Sequence, residues 1–255
     1  MTSTIPILEA RGLTRSFGAV RALDHVDFDI NAGEVVALIG DNGAGKSTLV
    51  KALSGNLALD SGEIYYAGGR VDLTSTTAAS KLGIETVYQD LALAPHLNPA
   101  QNMFLGRELP APGILGKFGF LDNKTMRLRS KAAFNDLGAT VRSLSDPVGG
   151  MSGGQRQAIA IARAVAWAKG VIFLDEPTAA LGVVQTKNVL ETIRRVRDKG
   201  VGVVFISHNM PNVMEVADRV QVLRLGRRIA TFEANKTNME ELVAAMTGAL
   251  DGAGA

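Results

Sequence analysis

The chain has 255 residues, 46% hydrophobic and 20% charged, a balance that can bury a core and excludes a disordered or low-complexity protein. Its 27 basic and 25 acidic side chains leave a formal charge of only +2, too weak a field to make nucleic acid or an anionic membrane the main partner. The absence of cysteine excludes a disulfide scaffold and thiolate metal sites, and it fits a reducing cytoplasm.

The N-terminal run MTSTIPILEARGLTRSFG meets Glu9, Arg11 and Arg15 before any long apolar stretch, which is unlike a signal peptide. No segment approaches the roughly 18 apolar residues of a membrane span. Service to a membrane would therefore run from its cytoplasmic side, through partner subunits. Short, partly alternating runs at 7–13, 26–30 and 63–66 predict an antiparallel β layer. Residues 35–39 (VVALI) are apolar throughout, as expected of a strand covered on both faces. The runs 171–174 and 201–206 share that character and are expected beside it.

Between residues 91 and 169 the strand signals vanish. Helical patterns at 98–105, 124–137 and 155–167 predict an inserted helical subdomain, with a loop marked by Pro110, Pro112, Gly113, Gly116 and Gly119. A helix near 210–217 then leads to a hairpin, 220–224 and 227–232, turning at Leu225 and Gly226. Arg194, Arg195, Arg197 and Lys199 fall at helical spacing and read as a solvated helix face. The sequence shows no internal repeat. It predicts one α/β domain over about residues 1–250, with a largely parallel core sheet and a frayed tail at 251–255.

After the strand 35–39 comes GDNGAGKST: Gly40, Asp41, Asn42, Gly43, Ala44, Gly45, Lys46, Ser47 and Thr48. This is a P-loop, between a strand and a helix that Gly55 is placed to cap. Its glycines let the backbone curl so that successive N–H groups face phosphate oxygens, and the helix N-terminus adds its positive dipole end. Lys46 is expected at the β- and γ-phosphates and Ser47 on Mg²⁺. The run VIFLDE places Asp175 at the carboxyl end of a core strand, where α/β sheets bind ligands. Asp175 is expected to hold Mg²⁺ through water, and Glu176 to take a proton from the attacking water.

MSGGQ, formed by Met151, Ser152, Gly153, Gly154 and Gln155, resembles the ATP-binding-cassette (ABC) signature, usually LSGGQ. Ser152 can cap the following helix, and the two glycines expose its first amides. The resemblance implies the P-loop cassette fold, with ATP and Mg²⁺ as ligands. It also implies a second cassette whose P-loop would meet this signature across two sandwiched ATP molecules. It assigns Gln89, in VYQD, to a loop that touches Mg²⁺ and senses the transporter domain. His208 becomes the histidine on the γ-phosphate, and Phe17 the aromatic on adenine. His25 and His96 match nothing.

One departure is visible. Where the family usually writes SALD after DEPT, this chain reads Ala179, Ala180, Leu181 and Gly182, without the carboxylate. EPTAALGV and the stretch 83–109 are similar to carbohydrate importers of the ribose, xylose and fructose kind, which have a single-cassette branch. The resemblance therefore implies an ATPase at the cytoplasmic face of the inner membrane, acting on permease subunits and indirectly on a sugar-binding protein, with no nucleic acid. Competing readings are an exporter ATPase and a non-transport cassette that acts as a nucleotide switch. No residue is assigned to a sugar. Asp90 to Leu105 is expected to face the permease, with Leu91, Leu93 and Leu97 as its apolar contacts if they are exposed.

Overall fold

The computed structural model describes residues 5–139, 141, 143–179 and 181–249. The 251–255 tail therefore lies outside the described residues, as does Ala180. Long antiparallel strands β1 (Leu8–Phe17) and β2 (Val20–Ile30) open the chain. They are followed by β3 (Val35–Ile39), α1 (Lys46–Leu53), β4 (Ser61–Tyr66) and β5 (Gly69–Val71). Then come α2 (Thr76–Lys81), β6 (Ile84–Val87), α3 (Pro99–Phe104), α4 (Ile114–Lys117), α5 (Asn123–Asp136) and α6 (Gly153–Trp167). The remainder is β7 (Val171–Asp175), α7 (Val183–Asp198), β8 (Gly202–Ile206), α8 (Met210–Val216), β9 (Arg219–Arg224), β10 (Arg227–Glu233) and α9 (Met239–Thr247).

Two sheets result. One is antiparallel, in the order β2-β1-β4-β5; the other runs β10-β9-β3-β8-β7-β6, parallel except for β10. Every side chain of β3 is buried, because the strand is covered on both faces. Val36 and Leu38 join one core with Leu49, Leu53 and the antiparallel sheet. Val35, Ala37 and Ile39 join the other, with α6, α7 and α8. The sequence reading placed β7 beside β3, but β8 lies between them, and β3 pairs with β8 and β9. Apolar runs of equal character carry no information about strand order.

Strand β6 was not anticipated. It is the edge strand, only four residues long, and its two central side chains, Glu85 and Thr86, are polar. Glu85 is partly buried and accepts a hydrogen bond from Arg107 at 2.8 Å, so polarity there serves an ion pair instead of solvent. Between β6 and β7 the regular elements of the described chain are all helical, and one isolated bridge joins Pro110 to Leu121. Helix α6 packs on α3 and α5 on one side and on β6 and β7 on the other. Trp167 closes it, edge-on to Phe104 with centroids 5.6 Å apart and its indole N–H on the Met103 carbonyl.

The basic stretch of α7 behaves as a surface face: Arg194 pairs with Glu215, Arg197 with Asp198 and Asp218, and Lys199 with Asp136. A buried polar node ties the segment after β6 to α3. Asn102 is fully buried; it accepts from the Ala94 N–H and donates to the carbonyls of Ala94, Leu97 and Asn98. Asn102→Leu keeps the branching at Cγ but adds volume and strands those groups, so unfolding by urea should show a loss of about 2–4 kcal/mol. A loss below about 0.5 kcal/mol would show that Asn102 is not the node described.

Candidate active site

The P-loop leaves β3 at Gly40, whose φ is 152°. A Cβ there would lie 2.2 Å from the Leu223 carbonyl oxygen of β9, so only glycine fits. Gly45 (φ 104°) is equally confined, with the Ala22 carbonyl 2.6 Å from where its Cβ would be. Gly45 also starts α1, without a side-chain cap and with no acid in the first turn. The first α1 amides therefore have no helical partner and face the cleft. At the other end Gly55, at φ 70°, turns the chain out of the helix, donating to the Ala52 carbonyl while Asn56 reaches Lys51.

Lys46 folds back on the loop, its Nζ donating to the carbonyls of Gly40 (2.5 Å) and Asp41 (3.0 Å). Burial pushes its pKa down, opposed by Glu176, Asp175 and Asp41. These partners are weak acceptors for a buried ammonium, and a phosphate oxygen would replace them with a full charge. Across the cleft, burial and the adjacent Glu176 push the Asp175 carboxyl up, against the pull of Lys46. A carboxyl that resists ionisation beside a second acidic side chain is an environment a cation would relieve. Among the described residues no cluster of three or more His, Asp or Glu could hold a metal by itself. Mg²⁺ at Ser47 and Asp175 would need phosphate oxygens to complete its shell, and this donor set fits that.

Glu176 sits at φ 49°, a conformation that costs a non-glycine residue about 1–2 kcal/mol. Its amide donates to the Ile206 carbonyl at 3.0 Å, and its Oε1 lies 2.8 Å from His208 Nδ1. The carboxylate is mostly buried (17% exposed) while the imidazole is open to solvent (75%). Phe17 ends β1 with its ring 48% exposed and the Arg15 guanidinium 5.0 Å from its centroid.

One cleft of about 730 Å³ brings together Phe17, the loop residues Asn42, Gly43, Ala44, Gly45, Lys46, Ser47 and Thr48, and Gln89, Asp175, Glu176 and His208. Gly40 and Asp41 form the base of the loop and do not line it. The sequence reading missed Val20 and Leu225. Val20 opens β2 and Leu225 lies in the turn between β9 and β10, both large apolar side chains lining the cleft and exposed to 67% and 77%. Exposed apolar residues beside Phe17 were the available signal.

Ser152, Gly154 and Gln155 line a different cleft, between α6 and α7. Ser152 caps α6, accepting from the Gln155 amide at 3.3 Å while the Gln155 side chain accepts from the Ser152 amide at 3.2 Å. Gly153 is exposed at the same helix start. A Cβ on Gly154 would meet Gln185 Cγ at 2.6 Å, so α7 packs directly on this turn. Gly182 caps α7 at φ −73°, ψ 168°, an extended geometry open to any residue, so no special backbone angle accounts for the missing carboxylate.

Gln89 is exposed, and the next two residues after Asp90 are Leu91 (φ 60°) and Ala92 (φ 44°), consecutive left-handed residues without glycine. Leu91 and Leu93 pack on the core and Leu97 is half-buried, so these leucines are not the free apolar contacts anticipated; the exposed residues of 90–105 are Asp90, Ala92, Pro95, His96, Gln101 and Leu105.

The chain matches the family model for ABC transporters over residues 23–179. It is 51% identical to the fructose import ATP-binding protein FrcA of Rhizobium meliloti, covering 96% of this chain and 95% of that one. It is 47% identical to the xylose/arabinose import ATP-binding protein XylG of Sulfolobus acidocaldarius, over 94% of each. The ADP conformation of MJ1267, an ATP-binding cassette of an ABC transporter, superposes with a TM-score of 0.77 at 26% identity, over 96% of each chain. A glycine-cradled helix start, a carboxylate pair at a strand end and a capped MSGGQ turn thus occur in a sequence matched along nearly its whole length by import ATP-binding proteins, and the chain belongs to the ABC transporter family.

Proposed function

We propose that this chain is the ATP-hydrolysing subunit of a sugar importer. The observation that carries the hydrolytic reading is the Glu176 carboxylate, held by His208 beside Asp175 and opposite the uncapped start of α1. ATP would lie with its phosphates on the amides from Gly43 to Thr48, and adenine against Phe17. Mg²⁺ at Ser47, Asp175 and Gln89 would neutralise phosphate charge. Lys46 would exchange its loop carbonyls for the β- and γ-phosphates. Glu176 accepts the proton of the attacking water on Oε2, since Oε1 is engaged by His208 Nδ1. His208 thereby orients the base, and its exposed ring on the cleft wall would meet the γ-phosphate as a donor when both ring nitrogens carry protons.

The sugar reading is supported by the names of the relatives, import proteins for fructose and for xylose or arabinose. No helix among the described residues is long and apolar enough to cross a membrane. Transport then calls for separate permease subunits at the cytoplasmic face of the inner membrane, supplied by a sugar-binding protein. The exposed face at Asp90, Ala92 and His96, beside Gln89, is the docking surface we assign to the permease.

Glu176→Gln preserves shape but removes basicity, and ATP turnover should fall roughly 10²–10⁴-fold with nucleotide binding retained. Turnover at the wild-type rate would end the assignment. Lys46→Ala removes charge-assisted bonds to phosphate, and equilibrium binding of ATP should weaken about 10- to 100-fold; unchanged affinity would contradict the phosphate role.

Ser152, Gly153, Gly154 and Gln155 lie outside the cleft of their own P-loop, so they require another chain's nucleotide. Glu176→Gln should double in mass by light scattering with Mg²⁺-ATP, but not with ADP, nor with ATP when Ser152→Arg is added. A monomer in all three conditions, well above the nucleotide affinity, would mean that this chain does not pair with itself through ATP.

A further inference from the structure

Arg163 lies on α6, about 15 Å along the helix from the MSGGQ turn, on the face turned towards residues 89–92. Its guanidinium is half-buried and makes two hydrogen bonds, Nη1 to the Ala92 carbonyl at 2.7 Å and Nη2 to the Leu91 carbonyl at 2.8 Å. Leu91 and Ala92 are the two consecutive left-handed residues that follow Gln89 and Asp90. A non-glycine pair adopts such angles only where its surroundings over-determine them. Here the Leu91 amide closes a turn on the Tyr88 carbonyl, and Leu91 packs on the core. The planar fork of Arg163 then satisfies both outward carbonyls together, a geometry that a lysine ammonium cannot reproduce. The side chain pays desolvation for it: burial pushes its pKa down, with Arg107 adding to the fall and Glu85 and Asp90 opposing it.

We propose that Arg163 is a positioning residue that clamps the strained 91–92 turn and so holds Gln89 in the nucleotide cleft, tying the signature helix to the permease-facing loop. The clamp rests on the role given to Gln89 above. Any shift of α6, when Ser152 and the following amides engage a second nucleotide, pulls on the Leu91 and Ala92 carbonyls. The pull passes to Gln89 and to the exposed face at Asp90 and His96. Without the fork the turn relaxes to ordinary angles, and Gln89 leaves the cleft for much of the time.

Arg163→Lys keeps charge and helix propensity and removes only the fork. Amide exchange of residues 89–94 in the full chain should quicken roughly tenfold or more, with residues 44–50 and 153–160 unchanged. The Mg²⁺ concentration for half-maximal ATPase should rise severalfold, while half-saturation by ATP stays within about twofold. Adding Ala92→Gly to Arg163→Lys should recover roughly fivefold of the Mg²⁺ requirement, because glycine takes left-handed angles at no steric cost. Unchanged exchange at 89–94 overturns the clamp whether or not the chain hydrolyses ATP. Faster exchange with an unmoved Mg²⁺ requirement, or no recovery in the double variant, reduces Arg163 to a packing residue and overturns its link to Gln89. A wild type without ATPase activity refutes the hydrolytic reading separately, and the clamp is then decided by the exchange result alone.

Discussion

Parallel pairing of β3, β8 and β7 makes three segments, far apart in sequence, leave the sheet at the same edge. The register matters as much as the order. Asp175, the last residue of β7, pairs with Ile206, so it, the adjoining Glu176 and the histidine two residues beyond β8 emerge at one level. The P-loop emerges beside them because β3 is hydrogen-bonded to β8 on one side and β9 on the other. Glycine at position 40 then lets the loop pass under the Leu223 carbonyl, an approach that any Cβ would block. Burial of the sheet on both faces fixes this arrangement. A strand covered on each side cannot slip by one residue without exchanging its two cores.

The site concentrates costs that the rest of the fold bears. Glu176, Leu91 and Ala92 hold left-handed backbone without glycine, and Lys46 and Asp175 are both partly desolvated. Their charges oppose one another across a cleft that water and phosphate can enter. Strain of this kind persists only when neighbours remove the alternatives. For Glu176 they are the Ile206 carbonyl and the His208 ring; for the 91–92 turn they are Arg163, the Tyr88 carbonyl and the packed Leu91 side chain. The two strained places flank the candidate nucleotide cleft and the exposed segment around Asp90, Ala92 and His96.

Much of the site was legible before the fold. The spacing of Gly40, Gly43, Gly45 and Lys46 dictates a phosphate cradle because its hydrogen-bonding geometry is confined to nine consecutive residues. Ser152 and Gln155 specify their capping box three residues apart. All five β3 side chains are apolar, which announces a doubly covered strand. The edge strand β6 was hidden because its two central residues, Glu85, which pairs with Arg107, and Thr86, are polar, which erases the apolar signal.

The sequence by itself marked a candidate phosphate loop, the helices after it, after Asn98 and after Ser152, and the doubly covered strands, because each of these is written in contacts spanning a few residues. Only the tertiary structure decided that β8 separates β3 from β7, that His208 bonds Glu176, and that Leu91 and Leu93 turn inward. It alone also showed that Gly182 occupies an ordinary extended angle and that Arg163 reaches the Leu91 and Ala92 carbonyls. These outcomes depend on which buried surfaces fit one another across separations such as the 71 and 72 residues between Arg163 and its acceptors, and packing at that range leaves no period in the chain.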